Sequence, residues 1–451
     1  MGKSRHDRKR YDVIIIGAGT AGSVAAKYIS DKDISVLVLE AGKNENDNPF
    51  VKFPFANSDP TDKYGFGTRD GVNFIQPSIN PKTTDGIQAA DIKGVLDVNN
   101  LYRAVSHAGR SWGGASAHNF LNCFQTSKEF DQLLADNYGG HRWNSSTIAK
   151  IKKELETYKP ADGPVGAGGR GSNGPIIISK AADYDANTNY MGKIIDCLVN
   201  PVVNGVDTAV SCPKQSDINK PGTTTARVEQ GNQYLHDNGL RSFAGEAFLG
   251  PSVVNQETGY GVNGRKLRII SNAFVTKVHF DECKKAKRVE VNVNGRTKMY
   301  SAKYNVIICA GALRSPGILE RSGVGDSSIL TPLGIDVIHH NPIVGTNYMT
   351  HSETVGLATI SEELAQAGLG EEAYLSYPGG SPNGLTRYGQ HFFVGGPVRV
   401  FDPYIPANGW AKQNGGDYDS ISTVAFTTGN IQPTSRGTCH ISSKDPATPP
   451  E

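Results

Sequence analysis

The sequence predicts an α/β fold joined to an α+β part, on the basis of three observations. A run of β-branched residues at 11–16 leads into a glycine-rich turn, a helix and a second strand that ends by residue 40. Another strand, glycine turn and short helix occupy 304–322. Aromatic residues recur among glycine and proline through 358–428, which is typical of antiparallel strands. We therefore expect a parallel-sheet unit assembled from distant segments and a second unit built on an antiparallel sheet.

The glycines of the first turn have separate physical roles. Gly17 permits the tight turn out of the strand, and Gly19 lets the backbone approach a pyrophosphate. Gly22 lets the helix pack closely on the strand. Thr20 and Ala21 lie in the turn before a helix predicted at 23–29, whose N-terminal N–H groups and partial positive charge attract phosphate. The turn therefore predicts a dinucleotide site.

Glu40 supports the same prediction, because it ends the second strand 18 residues beyond Gly22. A carboxylate there accepts hydrogen bonds from the adenosine ribose hydroxyls. It also argues against a ribose 2′-phosphate, and so against NADP. The motif lies between a strand and a helix, which makes it specific. NAD and FAD both remain open from this segment.

Composition and charge exclude several classes of protein. The 451 residues include 46 Lys+Arg and 44 Asp+Glu, a net charge of +2, which argues against a dedicated nucleic-acid-binding protein. Residues 1–10 are basic and are predicted to form a disordered tail, with a tether to nucleic acid as the weaker interpretation. No apolar run reaches the roughly 18 residues of a membrane span. The six cysteines lack metal-site spacing, so no metal is expected.

Two later segments carry further candidate residues. Gly109, Gly113 and Gly114 lie among small polar residues in a loop whose backbone N–H groups can surround a ligand. Farther along, Ser315 is a predicted helix N-cap and Pro316 a predicted first helical residue. That strand–turn–helix unit is predicted to join the first one in a single nucleotide-binding domain.

These segments together resemble the glucose-methanol-choline (GMC) flavoprotein oxidoreductases from about Tyr11 to the end of the chain. Two shorter likenesses are 241–249 and 433–446. The four main stretches are GAGTAG with Glu40, GRSWGGASAHN at 109–119, AGALRSPGILERSGVG at 310–325, and Val344-Gly345-Thr346-Asn347 with His351.

The resemblance implies FAD as the cofactor and a fold in two domains. A Rossmann-type FAD-binding domain would comprise 11–174 and 262–350, and a substrate-binding domain based on an antiparallel sheet would comprise 175–261 and 351–451. The backbone of Val275 would meet adenine. Further cofactor contacts are implied on the glycine loop and behind the nucleotide, at Gly109, Gly113, Gly114, Ser116, Asn119, Gly311 and Ala312.

His118 has two interpretations that the sequence leaves open. Its place in the loop resembles that of the histidine that choline oxidase and pyranose oxidases join covalently to the flavin, a bond that raises the flavin potential. Alternatively, it is a buried polar side chain packed beside the ring.

The pattern departs from the family in two places. Thr350 and Tyr348 replace the usual Asp and Leu of the V-G-x-N motif. In the family, the chain continues well beyond the position of Glu451 and there supplies the catalytic histidine, so no catalytic residue is assigned. A longer natural protein, a truncated and inactive relative, and completion by a second chain all remain open.

Three functions follow from the resemblance. The first is an FAD-dependent oxidoreductase that moves hydride from a small-molecule alcohol to the flavin, with dioxygen or another electron acceptor. The second is an inactive GMC-like protein with a structural or assembly role, such as a component of a giant-virus particle. The third is a flavin-binding enzyme like the hydroxynitrile lyases. The oligomeric state and the compartment stay open, with the cytoplasm as the default.

Overall fold

The structure, a computed structural model, describes the parts of the chain that carry the glycine-rich motifs. Residues 1–9 of the predicted tail, His351, and the aromatic residues from Tyr374 to Tyr377 lie outside the described residues. Arg10, predicted in the tail, is the first residue of a strand. The described residues are 10–52, 74–75, 108–119, 121, 123, 128–138, 140–180, 202–203, 206–207, 227–230, 234–238, 240–350, 352–359, 382–385, 390–397, 423–430, 435–448 and 450.

Strands dominate the described part of the chain. They are β1 Arg10–Ile16, β2 Val36–Leu39, β3 Phe74–Ile75, β4 Ala108–Gly109, β5 Glu156–Pro160, β6 Ile176–Lys180, β7 Val202–Val203, β8 Val206–Asp207, β9 Arg227–Gln230, β10 Leu267–Ile270, β11 Ala273–Phe280, β12 Ala286–Val293, β13 Arg296–Ile308, β14 Val324–Gly325, β15 His339–His340, β16 Ser352–Thr359, β17 Pro382–Leu385, β18 Gln390–Pro397 and β19 Thr423–Asn430. The α-helices are α1 Thr20–Ser30, α2 Pro49–Lys52, α3 Lys128–Tyr138, α4 Ser145–Leu155, α5 Ala244–Leu249, α6 Ser315–Arg321 and α7 Ser327–Leu330.

A six-stranded sheet in the order β10-β2-β1-β13-β12-β11 forms the core of the unit that is predicted to bind a nucleotide, here named the nucleotide-binding unit. β10, β2, β1 and the end of β13 are parallel, and β11, β12 and the start of β13 form an antiparallel meander. In the parallel part, Val13 pairs with Val36 on one side and with Asn305 on the other. The predicted assembly of distant segments is therefore present in the sheet.

Alternate residues of β1 and β2 supply two cores, one on each face of the sheet. Val13 and Ile15 pack with Leu249 and Val254 on the face that α1 covers. Ile14 and Ile16 pack on the opposite face with the meander and Ile318 of α6. Because both faces are buried, the strand sequence is a continuous apolar run rather than an alternating one.

The helix α5 lies on the nucleotide-binding unit. Residues 244–254 fall within the range 175–261 predicted for the substrate-binding domain, but Phe248 packs against Tyr28 of α1 with ring centroids 6.3 Å apart. Leu249 and Val254 join the core beside β1. Residues 244–254 therefore pack with the nucleotide-binding unit, although the predicted boundary at 261 places them in the other domain. The wider division into two domains stays a prediction.

A second sheet confirms the expected antiparallel architecture. Its five strands follow the order β16-β19-β18-β17-β9, and every neighbouring pair is antiparallel. Four of the five strands come from the range 351–451. None of the helices that the structure describes has both the length and the apolar composition that a membrane crossing requires.

Candidate functional site

The first glycine-rich turn joins β1 to α1 at the carboxyl edge of the parallel strands. Gly17 has a φ of +98°, and a Cβ there would lie 2.5 Å from the carbonyl oxygen of Cys309. A Cβ at Gly22 would lie 2.0 Å from the Gly17 oxygen. At Gly19 the nearest atoms to a Cβ are 3.9 and 4.0 Å away. The protein itself therefore requires glycine at Gly17 and Gly22, whereas a Cβ at Gly19 would make only ordinary van der Waals contacts.

The second glycine loop lies directly against this turn. The N–H of Gly113 donates to the carbonyl of Ala18 at 2.8 Å, and Gly113 forms a parallel β-bridge with Gly19. A Cβ at Gly114 would lie 2.8 Å from the Cα of Gly19, and one at Gly109 would lie 2.5 Å from the carbonyl carbon of Gly114. The structure thus brings two predicted loops, far apart in sequence, into direct contact, and the surface along which they meet is here named the crevice.

Ser116 and Asn119 hold the shape of the second loop. The Ser116 hydroxyl donates to Gly113 O at 2.6 Å and accepts from the N–H of Ala244 at 3.1 Å. The side-chain oxygen of Asn119 accepts from the buried Arg241 guanidinium at 2.8 Å. Both predicted residues therefore make hydrogen bonds within the protein at this site. The sequence signalled Arg241 only as part of a short likeness, not as an organiser of this loop.

Glu40 closes one end of the crevice. Its side-chain oxygens accept from the N–H groups of Ala18 and Gly42, each at 2.7 Å. Burial raises the pKa of the Glu40 carboxyl, while these backbone bonds and the charge of Arg110 oppose that shift. Each carboxylate oxygen has a further lone pair. Glu40 can therefore fix the turn and still accept from a ligand hydroxyl.

The remaining predicted cofactor residues border the same edge of the sheet. Ala273 N–H donates to the backbone oxygen of Glu40 at 2.8 Å, and Val275 lies two residues farther along β11. Gly311 follows β13 with a φ of +77°, and no atom lies within 4 Å of a Cβ built there. Ala312 is exposed beside it. None of these placements tests a cofactor contact, so the contacts stay predictions.

The start of α6 differs from expectation by one residue. Arg314, rather than Ser315, is the N-cap, and Ser315 is the first helical residue with Pro316 behind it. Arg314 has a helical backbone and makes no side-chain cap bond. The fixed φ of proline suits either of the first helical positions, so the sequence alone does not distinguish them.

Comparisons with known proteins agree with this geometry. Residues 260–353 match the family model described as GMC oxidoreductase. A protein of Acanthamoeba polyphaga mimivirus, named as a truncated and inactive GMC-type oxidoreductase, is 26% identical over 80% of this chain and 81% of its own length. Oxygen-dependent choline dehydrogenase of Staphylococcus xylosus is 28% identical over 98% of this chain and 73% of its own length. The chain is therefore similar in sequence to GMC oxidoreductases over most of its length.

Solved GMC structures share the fold. Formate oxidase of Aspergillus oryzae matches with a TM-score of 0.70 at 18% identity, over 99% of this chain and 77% of that chain. That structure is of a variant used to study modification of the FAD of formate oxidase. The expected fold class, a Rossmann-type FAD-binding unit with an antiparallel-sheet unit, is confirmed by this likeness and by the two sheets.

In this chain, His118 lies on the second glycine loop. It ends the 3-10 turn Gly114–Ala117, and its N–H donates to Ala115 O at 3.2 Å. The imidazole is half-buried. The structure thus places His118 within five residues of Gly113 and Gly114, on the loop that contacts Gly19. A covalent bond from His118 to a flavin stays a prediction.

His440 has a structural partner. Its Nδ1 lies 2.6 Å from Oε1 of Glu320, a carboxylate that is fully buried in α6. The other Glu320 oxygen accepts from the N–H of Ile441 at 2.9 Å. The pair fastens the segment 439–441 to α6, so His440 has a buried structural partner. Over the described ranges, no cluster of His, Cys, Asp and Glu is arranged to hold a metal ion.

Proposed function

We propose that this chain binds FAD in the crevice between its two glycine loops and acts as an oxidoreductase on small-molecule alcohols. Gly19 carries the proposal, because a Cβ there would make only ordinary contacts at 3.9 and 4.0 Å, and no clash within the protein explains that glycine. The neighbouring glycines, Gly17 and Gly22, are explained by contacts within the fold. A pyrophosphate approaching the backbone accounts for the difference.

The chain offers matching donors and acceptors along the crevice. The first intrahelical bond of α1 runs from Ser23 N–H to Gly19 O at 2.8 Å. The preceding N–H groups, those of Thr20, Ala21 and Gly22, therefore lie before the helical ladder and can donate to phosphate. Glu40 would accept from the adenosine ribose. These residues fit an adenine dinucleotide.

FAD, when bound, supplies a hydride acceptor for the alcohol carbon. The chain's residues orient the cofactor and exclude water from it, and the alcohol proton requires a base whose pKa lies near the working pH. Choline dehydrogenase among the relatives supports an alcohol as the substrate class and dioxygen as one acceptor.

A second candidate function is a flavin-binding protein without turnover. The observation that favours it is the mimivirus relative, which is named as inactive and matches the chain over four fifths of each sequence. In that case the crevice would keep its shape without catalysis, in a structural or assembly role.

Purification of the protein without added flavin, followed by an absorption spectrum and extraction of the pigment, tests the proposal. We expect oxidised FAD in about one equivalent. Anaerobic mixing with choline and a series of primary alcohols should bleach the flavin bands. Bound FAD that no alcohol reduces supports the second candidate. Protein that remains colourless after incubation with FAD overturns both.

A further inference from the structure

Two arginines from distant segments face one aromatic ring beside the crevice. The guanidinium carbon of Arg110 lies 5.7 Å from the ring centroid of Phe274, and that of Arg314 lies 6.0 Å from it. Arg110 precedes the second glycine pair, and Arg314 precedes α6. The ring thus marks a place where two cations converge.

Most donors of this pair lack acceptors among the described residues. The Nε atom of Arg314 is buried without a hydrogen-bond partner there. Its guanidinium lies over the Phe274 ring. Arg110 donates one bond, from Nε to Ala41 O at 3.0 Å. Since each guanidinium carries five N–H donors, the pair can bind a ligand rich in acceptors.

The local charges also favour an anion. Burial, and then the like charge of Arg110, lowers the pKa of Arg314. Burial, and then the charge of Arg314, lowers the pKa of Arg321 to about 10, while the carboxylates of Glu320 and Asp445 oppose that shift. In the described part of the chain, no salt bridge joins any of these three arginines to a carboxylate. An anion would relieve this repulsion.

The position of the pair relates it to the nucleotide. Arg110 contacts the carbonyl of Ala41, the residue after Glu40. Phe274 precedes Val275, and Arg314 lies two residues beyond Ala312. The pair therefore lies among the residues predicted to meet the adenosine half of the cofactor, at the edge where the glycine turn would hold the diphosphate.

We infer that Arg110 and Arg314 bind the ADP half of the cofactor, with their guanidinium donors directed to its diphosphate oxygens. The inference rests on the proposed function and adds to it a pair of binding residues from outside the glycine motifs. A diphosphate supplies both the acceptors and the negative charge that the pair lacks. Inorganic phosphate shares that chemistry, so the experiment separates the two.

The test is the dissociation constant of FAD measured with apoprotein of wild type, Arg314→Gln and Arg268→Gln at two salt concentrations. Arg268 is the matched control, because it also stacks on a ring, that of Tyr260 at 4.9 Å, outside the pair. We expect Arg314→Gln to weaken FAD binding roughly 10- to 100-fold and to reduce its salt dependence. Arg268→Gln should bind as wild type does.

Thermal unfolding of the apoproteins distinguishes a binding role from a structural one. Arg314→Gln should melt at the wild-type temperature or above it, because the substitution removes a half-buried charge next to another. Unchanged FAD affinity in Arg314→Gln would overturn the inference, as would a weaker affinity accompanied by a lower melting temperature. Inorganic phosphate that stabilises wild type but not Arg314→Gln, with equal FAD affinity, would assign the pair to a free anion and also overturn it. If wild type itself binds no FAD, the proposed function fails first.

Discussion

The substitution Gly19→Ala tests whether the bound cofactor, rather than the fold, requires glycine at this position. The backbone at this position has a φ of −66°, which any L-residue adopts. A Cβ there would meet the Cys309 oxygen at 3.9 Å and the Gly114 Cα at 4.0 Å, ordinary contact distances. The added methyl group therefore occupies the space proposed for the pyrophosphate, with no protein atom displaced.

We expect this substitution to raise the stability of the apoprotein and to lower its affinity for FAD. Replacing glycine by alanine in a compatible backbone stabilises a protein by about 0.4–1 kcal/mol, so the apoprotein of this length should melt roughly 0.4–1 °C higher. Forcing a methyl group against a closely bound ligand costs about 1–3 kcal/mol, which weakens FAD binding roughly 5- to 150-fold. Gly19→Ala should thus be more stable without FAD and bind it less tightly.

Differential scanning calorimetry of the apoprotein and fluorescence titration with FAD measure the two effects. Gly22→Ala is the comparison variant, because its Cβ would lie 2.0 Å from the Gly17 oxygen and 3.0 Å from its carbonyl carbon. That variant should lose at least about 3 kcal/mol of stability. Wild-type FAD affinity in Gly19→Ala would refute the assignment of the space above Gly19 to the cofactor.

Three further predictions concern buried charges. Glu156→Gln removes the carboxylate that accepts from Arg170 at 2.6 and 2.7 Å. Urea unfolding should therefore show a loss of about 3–5 kcal/mol in the free energy of unfolding. An unchanged unfolding midpoint would contradict the argument from burial. Burial raises the folded-state pKa of Glu40 above 4.5, so the stability it contributes is present below its unfolded pKa and lost as pH rises through the folded value. Wild-type unfolding free energy should therefore fall more steeply with pH above 4.5 than that of Glu40→Gln, and parallel profiles would exclude this account. His440→Asn should lower the free energy of unfolding by about 1–3 kcal/mol, because the buried carboxylate of Glu320 loses its histidine partner. The rate of flavin reduction by alcohol should stay at the wild-type value. A large drop in that rate would give His440 a catalytic role.

The local parts of the nucleotide-binding unit could be predicted from residues close together in sequence. The strand 11–16 has a continuous apolar run because both faces of β1 are covered. Gly22 is required by Gly17, only five residues away, and α1 begins where the turn ends. Such features depend on backbone sterics and short-range periodicity, which one segment carries in full.

Packing between distant segments could not be read in the same way. The loop that carries Gly113 contacts Gly19 across more than ninety residues, and the sequence supplied only the likeness of each loop to a family pattern. The assignment of 175–261 to the substrate-binding domain did not anticipate that α5 covers α1. An apolar helix face can pack against any apolar surface, so its sequence does not identify the surface that it covers.

The sequence by itself determined a dinucleotide turn, the acid at the end of its second strand, and the likeness to GMC flavoproteins. Tertiary structure alone decided that Arg110 and Arg314 converge on Phe274, that Arg241 braces the second glycine loop, and that His440 pairs with Glu320. The physical reason is the distance along the chain over which each feature is determined. A glycine's steric need is set within a few residues, whereas the cost of a buried charge depends on which groups the completed fold places around it.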